Sequence, residues 1–247
     1  MMSGYKIVIP ARYASSRLPG KPLIDLAGKP MIQHVYERIR EASKVDEVLI
    51  ATDDERILHA SESFGARAFM TSDQHPSGTD RIAEVAVKLE HQIVLNIQGD
   101  EPEVEPDAVD QLVGMLDDPE VRMATLAVPI SDEDLFNDPN VVKVVVDNQA
   151  DALYFSRSSV PYHRPGVSLL PESPVQPLHH IGIYAFRREF LLEFVSLPQG
   201  RLEQLERLEQ LRVLEHGYRI RVGLRPSGFP GIDTAEDYQA FVERCGS

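Results

Sequence analysis

Cysteine is almost absent from this sequence of 247 residues, in which Cys245 is the only one. A single cysteine excludes an intramolecular disulfide and the cysteine pairs of common zinc sites, and it suits a reducing compartment. The sequence also lacks an apolar stretch of the roughly 20 residues that cross a membrane. It begins without the basic and apolar segments of a secretory signal. We therefore expect a soluble, cytoplasmic protein without stable membrane association.

Positive charge is scarce as well, because 25 lysines and arginines stand against 39 aspartates and glutamates, for a net charge of -14. An acidic protein of this kind lacks the basic face that nucleic acids and anionic membranes require, so we expect no nucleic-acid partner.

The Gly-x-Ser-x-Gly motif of serine hydrolases is missing too. The length of the chain fits one large α/β domain or two small ones.

Three of the few cations stand on one loop near the start of the chain. An apolar run over residues 5–9 predicts a buried strand that ends at Pro10, and Arg12, Arg17 and Lys21 follow it. Open α/β sheets bind ligands just past the carboxyl ends of their strands. The loop therefore indicates a site for a small anion such as phosphate, with a solvated basic loop as the alternative.

This basic loop is not a Walker A motif. Lys21 is followed by Pro22 instead of serine or threonine, and Ser15 stands where the motif needs its first glycine. A classical P-loop ATPase or kinase is thereby excluded, while a phosphate-binding loop of another design stays open.

Strands and helices are predicted to alternate through the first half of the chain. Besides residues 5–9, apolar runs predict strands over residues 45–52, 66–71, 93–97 and 123–128. Apolar residues at helical spacing predict helices over residues 31–42, 54–64, 82–89 and 106–117. This alternation is typical of a doubly wound, mainly parallel α/β sheet with right-handed crossovers.

The second half of the chain has a different pattern. Residues 141–146 and 152–155 predict a smaller antiparallel excursion, and residues 158–178 carry five prolines that predict an irregular segment. Further along, we expect strands over residues 181–186 and 218–224, a helix from Arg187, and a last helix from Asp233 to about Val242.

Residues 201–215 predict the most regular helix of the chain. Leucine recurs at every third position, as Leu202, Leu205, Leu208, Leu211 and Leu214. This spacing spreads the leucines over about 240° of a helix, wider than the apolar stripe of an ordinary surface helix. We expect the helix to be contacted by the core and by a second subunit, with burial in a single core as the alternative.

Carboxylates at two strand ends are candidates for a metal site. Asp100 follows the apolar strand over residues 93–97, and Mg²⁺ is usually held by one or two carboxylates together with substrate phosphates. Asp233, after a run rich in glycine and proline, is the second candidate. Each has a structural alternative, a turn residue for Asp100 and a helix N-cap for Asp233.

Other candidate ligand groups lie elsewhere in the chain. Residues 77–81 open a helix and can offer backbone donors and Arg81 to a base or phosphate, or can simply cap the helix. Arg157 follows a strand and can clamp a carboxylate or stand as a surface cation. His179 and His180 are adjacent, so on a strand they point to opposite faces and at most one enters a site.

Taken together, these loops resemble the cytidylyltransferases that activate eight-carbon sugar acids, in particular the 3-deoxy-manno-octulosonate (Kdo) cytidylyltransferases. The resemblance runs in order from Lys6 to about Asp237. It rests on IPAR at 9–12, RLPGKPL at 17–23, ATD at 51–53, SGTDR at 77–81, NIQGDEP at 96–102, ALYFSR at 152–157, HIGIY at 180–184, LEQLR at 208–212 and GIDT at 231–234.

The resemblance implies transfer of CMP from CTP to the anomeric hydroxyl of Kdo with release of pyrophosphate, for lipopolysaccharide biosynthesis, by a homodimer that uses Mg²⁺. It implies one domain of the nucleotide-diphospho-sugar transferase type over residues 1–247. A nucleotide-binding part would reach to about residue 130 and a sugar-binding and dimerisation part would cover about 131–225. The C-terminal helix would return to the first part.

The resemblance also assigns roles to single residues. Catalysis would fall to Arg12, Lys21 and Asp100, and metal binding to Asp100 with Asp233. The nucleotide would be bound by Ala11, Arg12, Lys21, Ser77, Gly78, Arg81 and Gln98. The sugar acid would be bound by Gln98, Arg157, His180, Tyr184, Glu209 and Gln210, with Arg157 on its carboxylate. The role of Arg17 stays open.

Two alternatives remain at this point. The acceptor could be another acid sugar, such as a sialic acid or an amino-substituted Kdo, or the chain could be a nucleotide sensor without catalytic activity. A glycosyltransferase of a related fold would normally carry Asp-x-Asp, whereas here Asp100 is followed by Glu101 and Pro102.

Overall fold

The computed structural model describes residues 5–14, 20–99, 101–164, 176–229, 237–239 and 241. Its strands are β1 (Tyr5–Ala11), β2 (Asp25–Leu26), β3 (Lys29–Pro30), β4 (Val45–Thr52), β5 (Arg67–Met70), β6 (Ile93–Asn96), β7 (Met123–Pro129), β8 (Lys143–Val146), β9 (Ala152–Ser156), β10 (Leu178–Arg187) and β11 (Arg221–Leu224). Its helices are α1 (Met31–Ile39), α2 (Glu55–Ser63), α3 (Gly78–Ala86), α4 (Pro106–Met115), α5 (Glu133–Asn137), α6 (Arg188–Ser196), α7 (Arg201–Glu206) and α8 (Leu211–Glu215). A 3-10 turn covers Lys21–Leu23.

A mixed sheet dominates the architecture, with the strand order β11-β7-β10-β6-β1-β4-β5. Its neighbours pair in parallel except at β10, which runs antiparallel to both β6 and β7. The predicted α/β fold with a mainly parallel sheet is confirmed. The place of β10 was not predicted, because that strand comes about 50 residues after β7 in the chain.

The first strand shows why both faces of the sheet are covered. Ile7 and Ile9 point into a core cluster formed with α1 and α4, whereas Val8 points into a cluster formed with α3 and α6. Side chains alternate between the faces of a strand, so a wholly apolar run is what a sheet needs when helices pack on both sides.

The end of β1 differs from its prediction, because the strand continues through Pro10 to Ala11. Pro10 and Ala11 pair with Ala51 and Thr52 of β4, whereas pairing with β6 ends at Val8. Proline lacks an amide proton, and it is tolerated here because it lies beyond the part of the strand that is paired on both sides.

Helix α3 begins at Gly78, within the segment 77–81 that was predicted to open it. Ser77 is its N-cap, and the Ser77 hydroxyl oxygen accepts from the amide of Asp80 at 3.1 Å. Helix α2 ends as predicted before Gly65, which has a positive φ of 84°. The N-terminus of α3 therefore lies beside the strand ends, not a turn away from them.

The prediction of one helix over residues 201–215 is wrong. The chain forms α7 and α8, and Arg207 between them adopts the left-handed conformation (φ 53°, ψ 48°). The second helix folds back, so that the Glu215 carboxylate accepts from the amides of Leu202 and Glu203 at 3.1 and 3.3 Å. This long-range capping satisfies the amides that open α7, and neither glycine nor proline marks the break in the sequence.

The predicted antiparallel excursion is confirmed as the pair β8–β9, which joins the sheet through β10. The described parts of the proline-rich segment, residues 158–164 and 176–177, contain neither helix nor strand, as predicted.

Asp233, the predicted cap of the last helix, lies outside the described residues. Tyr238 beyond it donates to the backbone oxygen of Asp25 at 3.0 Å. Within the described residues every helix is too short or too polar to span a bilayer.

Candidate active site at the strand ends

The carboxyl ends of β1, β4 and β6 lie at one edge of the sheet, and the predicted nucleotide-binding segments meet there. Gly78 and Gly99 allow the closest approach. A β-carbon at Gly78 would lie 3.3 Å from the Pro10 ring and 3.5 Å from Gln98 Oε1, and one at Gly99 would lie 3.4 Å from the Pro10 carbonyl oxygen. The start of α3 is thereby packed against the first loop, as the resemblance implied for a nucleotide site.

The first loop contributes two described cations. Arg12 follows Ala11, the buried last residue of β1, and its Nη2 donates to the backbone oxygen of His75 at 2.7 Å. Lys21 is 8% exposed and opens the 3-10 turn after Gly20, whose φ of 70° favours glycine. The amide of Gly20 donates to the Tyr13 carbonyl at 2.9 Å, which closes the loop. Arg17 lies outside the described residues.

Arg81, which the resemblance placed on the nucleotide, is held by protein groups in this structure. Its side chain is fully buried, Nη2 lies 2.6 Å from Asp53 Oδ2, and Nη1 donates to the Thr71 hydroxyl. Burial lowers the pKa of Arg81 and the nearby charge of Arg12 adds to this, while Asp53 opposes it. Arg81 thus joins the ends of β4 and β5 to α3 and does not face an open surface in this structure.

Four side chains form a hydrogen-bond chain across the site. Gln98 Nε2 donates to Asn96 Oδ1 at 2.8 Å, and Asn96 Nδ2 donates to Thr79 Oγ1 at 3.3 Å. The Thr79 hydroxyl donates to Glu209 Oε2 at 2.5 Å. The chain connects Gln98, which was predicted to contact both nucleotide and sugar, with Glu209, which was predicted to contact the sugar. Ser77 and Gln98 are half-buried beside it.

The Glu209 carboxylate, at the end of this chain, sits in a largely desolvated place with a side chain 28% exposed. Burial raises the pKa of Glu209, and hydrogen bonds from Thr79 and Ser77 together with the charge of Arg212 lower it part of the way back. Its other oxygen, Oε1, is buried without a hydrogen bond from any described residue. The next residue, Gln210, is 6% exposed and caps α8.

His180 and Tyr184 face each other on β10, with ring centroids 5.5 Å apart. Residues four apart in a regular strand are about 13 Å from each other. The register of β10 against β7 shifts between Ile181 and Tyr184, and this bulge shortens the separation. Phe155 packs edge-on against His180 at 4.9 Å. The adjacent His179 is less buried than His180, and the two do not form a metal pair.

The protonation state of His180 follows from its surroundings. Burial lowers the pKa of His180 to about 3, so the ring is neutral at pH 7. The Thr125 hydroxyl lies 3.0 and 2.8 Å from the carbonyls of Ile181 and Ile183 and has one proton to give them. His180 Nε2 therefore donates to Thr125 Oγ1 at 3.0 Å, which leaves Nδ1 as an acceptor. Burial and the charge of Glu209 raise the pKa of Tyr184, which stays a phenol.

Arg157 is fixed by backbone oxygens. Its Nε donates to the Glu206 carbonyl at 2.8 Å and its Nη1 donates to the Pro139 carbonyl at 3.0 Å. Its amide donates to the Glu206 carboxylate at 3.0 Å. Among the described residues no acceptor is found for Nη2, so one arm of the guanidinium is oriented without a protein partner.

A cavity of about 560 Å³ opens next to His180. Asn140 and Val142, which precede β8, line it together with His179 of β10, and the acidic residues Glu101 and Asp237 line it as well. The cavity is therefore bordered by β10 and by residues close in the chain to the two predicted metal ligands. It is large enough for a sugar acid together with water.

The predicted metal ligands Asp100 and Asp233 lie outside the described residues, so the structure gives no geometry for them. In the part of the chain that is described, no group of three histidine, cysteine, aspartate or glutamate side chains is arranged to hold a metal ion.

Sequence reasoning missed several residues of this region. Asn96 interrupts an otherwise apolar strand, and Lys143 interrupts a run of valines over residues 141–146. Both are buried, so a lone polar residue in an apolar strand was a usable signal. Thr79 and Asp53 offered no such signal, because both stand in segments that already looked polar.

Comparisons with known proteins identify the family. The profile of the cytidylyltransferase family matches residues 6–220. The chain is 50% identical over 246 residues to a 3-deoxy-manno-octulosonate cytidylyltransferase of Thermodesulfovibrio yellowstonii, with 96% of each chain covered. It is also 50% identical over 237 residues to an 8-amino-3,8-dideoxy-manno-octulosonate cytidylyltransferase of Shewanella pealeana, with 94% of each chain covered.

Solved structures agree with this result. A CMP:2-keto-3-deoxy-manno-octonic acid synthetase complexed with CTP is 47% identical, with a TM-score of 0.92 over 99% of both chains. A 4-diphosphocytidyl-2C-methyl-D-erythritol synthase from Anaerococcus prevotii is 12% identical, with a TM-score of 0.63 over 99% of this chain and 96% of its own, and shows a shared fold alone. The chain therefore belongs to the cytidylyltransferase family, as the resemblance of its loops indicated.

Proposed function

We propose that this protein transfers CMP from CTP to the anomeric hydroxyl of Kdo and releases pyrophosphate. The observation that carries the proposal is the similarity to a CMP:2-keto-3-deoxy-manno-octonic acid synthetase complexed with CTP, which is 47% identical to this chain and shares its fold over 99% of both chains. The cluster of Arg12, Ser77, Gly78 and Gln98 at the strand ends supports it, because a nucleotide needs such a group of donors beside flexible glycines.

The chemistry requires neutralisation of charge more than an activated nucleophile. The attacking group is a sugar hydroxyl, and the phosphorus it attacks is already surrounded by negative oxygens. Arg12 and Lys21 would hold the triphosphate and stabilise the charge that builds on the α-phosphate. Catalysis then rests on positioning and electrostatics, as in other phosphoryl-type transfers.

Mg²⁺ would be held by Asp100 and Asp233. Carboxylates are the oxygen donors that this hard cation prefers, and the described Gly99 just before Asp100 packs against Pro10, beside the first loop. When bound, the ion would polarise the α-phosphate and favour ionisation of the attacking hydroxyl.

Recognition of the sugar acid would fall to residues on the other side of the hydrogen-bond chain. Arg157, already oriented by the Glu206 and Pro139 carbonyls, would present its remaining arm to the carboxylate. Neutral His180 and the phenol of Tyr184 would bind hydroxyl groups, and Glu209 and Gln210 would accept from or donate to others.

We also propose a homodimer formed through the second half of the chain. Leu205 is 76% exposed, Leu153 is 60% exposed and Tyr162 is 80% exposed, and all three belong to the second half of the chain. A second subunit would cover them. Light scattering on the purified protein should give twice the chain mass of 27.7 kDa, and a mass of one chain would contradict the dimer.

A second candidate acceptor is 8-amino-3,8-dideoxy-manno-octulosonate. The relative from Shewanella pealeana that carries this name is as similar to the chain as the Kdo relative from Thermodesulfovibrio yellowstonii. Overall identity therefore does not separate the two acceptors, which differ at a single carbon.

The test is pyrophosphate release from CTP with a panel of acceptors, namely Kdo, its 8-amino analogue and a sialic acid. We expect release with Kdo and Mg²⁺, and its loss when the metal is chelated. Turnover with the 8-amino analogue alone would replace Kdo by the second candidate. CTP binding without release for any acceptor would favour a nucleotide sensor.

A further inference from the structure

Hydrogen bonding runs in one direction along the chain from Gln98 to Glu209 when the Glu209 carboxyl is ionised. An ionised carboxylate only accepts, so the Thr79 hydroxyl must give its proton to Glu209. Its oxygen is then left to accept from Asn96 Nδ2, and the Asn96 carbonyl oxygen accepts from Gln98 Nε2. Each amide in the chain is thereby fixed in one of its two orientations.

The two middle residues are the ones shielded from water. Asn96 is 1% exposed and Thr79 is 4% exposed, whereas Gln98 and Glu209 at the two ends are only partly buried. In a desolvated setting hydrogen bonds polarise one another and an unmade bond is costly. The middle residues therefore cannot touch a ligand, yet they determine how both end groups are held.

The fixed orientation has a consequence at each end. Because Gln98 uses Nε2 for Asn96, its acceptor Oε1 is turned towards the N-terminus of α3, near Gly78. At the other end Thr79 occupies Oε2 of Glu209, so Oε1 is the oxygen without a hydrogen bond from any described residue. Each end thus keeps one acceptor oxygen that the hydrogen-bond chain does not use, and at Glu209 this buried oxygen lies 3.8 Å from Arg212 Nη2.

We propose that Thr79 and Asn96 are positioning residues that hold Gln98, assigned between nucleotide and sugar, and Glu209, assigned to the sugar, in one hydrogen-bond chain. The inference rests on the proposed function, since it assumes that these end groups bind the two substrates. A transfer between two substrates needs both in register, and small displacements of a positioning group lower the rate strongly. Buried Thr79 and Asn96 would keep the two end groups at a fixed distance and orientation.

Thr79→Val tests the proposal, because it keeps the shape of the side chain and removes the hydroxyl. We expect the KM for the sugar acid to rise roughly tenfold, the size of one lost hydrogen bond to a charged group. Thr79→Ser, which keeps the hydroxyl, should stay close to the wild type. Ser61→Ala is the matched control, because it removes a buried hydroxyl whose bond runs to the Ile57 carbonyl within α2.

The pH profile separates positioning from mere packing. Charged or titratable groups that act on Glu209 are Arg212 of α8, Asp80 of α3 and Tyr184 of β10. Thr79 lowers the pKa of Glu209, so loss of the hydroxyl should move the acidic limb of kcat/KM to higher pH, while Thr79→Ser should leave it in place. A Thr79→Val enzyme with lower thermal stability but unchanged KM and pH limb would overturn the proposal.

The two ideas fail in different ways. If the wild type releases no pyrophosphate with any acceptor, the proposed function fails. If the wild type is active and Thr79→Val matches it in KM and pH limb, only the positioning role fails. Should Thr79→Val not fold, Thr79→Ala is compared with Thr79→Ser by the same readouts, and equal behaviour of these two would contradict the role of the hydroxyl.

Discussion

The ammonium group of Lys143 lies 2.8 Å from the backbone carbonyl oxygen of Arg157, and the Lys143 side chain is completely buried. The same ammonium group donates to the carbonyls of Asp138 and Val141 at 2.9 and 2.6 Å. Its three donors thus tie β8, the segment before it and the residue after β9 together. Pro139 belongs to that segment and orients Arg157, so Lys143 holds both sides of the proposed carboxylate clamp.

Replacement of Lys143 by methionine should destabilise the protein although the volume is nearly kept. Three backbone carbonyls would lose a charged donor, and we expect the free energy of unfolding to fall by about 3 kcal/mol. Urea unfolding measures the change. Lys44→Met, at an exposed lysine, is the control and should change stability by less than about 0.5 kcal/mol. Equal unfolding midpoints for the two variants would contradict this role of Lys143.

Burial of His180 should make the protein less stable in mild acid. Burial lowers the pKa of His180 from 6.5 to about 3. The unfolded chain therefore takes up a proton below pH 6.5 that the folded protein does not, and stability falls with pH down to about 3. Between pH 7.5 and 5.0 the wild type should lose about 2 kcal/mol more than His180→Gln.

The same pair of measurements on His59→Gln provides the control for this pH effect. His59 is 73% exposed, so its replacement should leave the pH dependence of unfolding as in the wild type. An identical loss of stability for the wild type and His180→Gln would show that His180 is not the group responsible.

The junction of α7 and α8 predicts a coupling between Gly200 and Glu215. A β-carbon at position 200 would overlap the Glu215 carboxylate, which caps α7. Gly200→Ala should therefore cost about 1 kcal/mol, because the carboxylate must give up its cap. In a Glu215→Ala background the same change should be neutral or stabilising by up to about 1 kcal/mol. Strict additivity in this double-mutant cycle would contradict the observed packing.

Lys21→Ala should lower kcat by at least about 100-fold while the protein stays folded, because a group that stabilises developing charge is lost. Lys29→Ala, at a half-exposed lysine paired with Glu37, is the matched control and should keep its activity. Asp100→Asn should lower kcat by a similar factor. Near-normal turnover of Asp100→Asn at saturating Mg²⁺ and both substrates would remove the metal role of that residue.

Local sequence signals were enough for most of the fold. The strand over residues 45–52 and the helix end before Gly65 were predicted as they are found, because apolar period and a glycine stop are local properties. The break at Arg207 was not predictable in this way, because it is stabilised by Glu215, a group from the following helix. The insertion of β10 between β6 and β7 likewise depends on contacts across the whole chain.

The candidate site, like the fold, could be predicted from the sequence only in part. The resemblance of the loop motifs assigned Arg12, Lys21, Gln98 and Arg81 to the nucleotide. The structure adds that Arg81 is buried against Asp53 and Thr71, a pairing that the motif did not reveal. The hydrogen-bond partners of a side chain depend on which strands become neighbours, and that information is not contained in a motif.

The central claim is that CMP is transferred intact to a sugar acid. Phosphorus NMR of a reaction that contains the protein, CTP, Kdo and Mg²⁺ tests it most directly. We expect loss of the three CTP signals and growth of one phosphodiester signal together with pyrophosphate. Formation of CDP with orthophosphate, or an unchanged CTP spectrum with every acceptor of the panel, would contradict it.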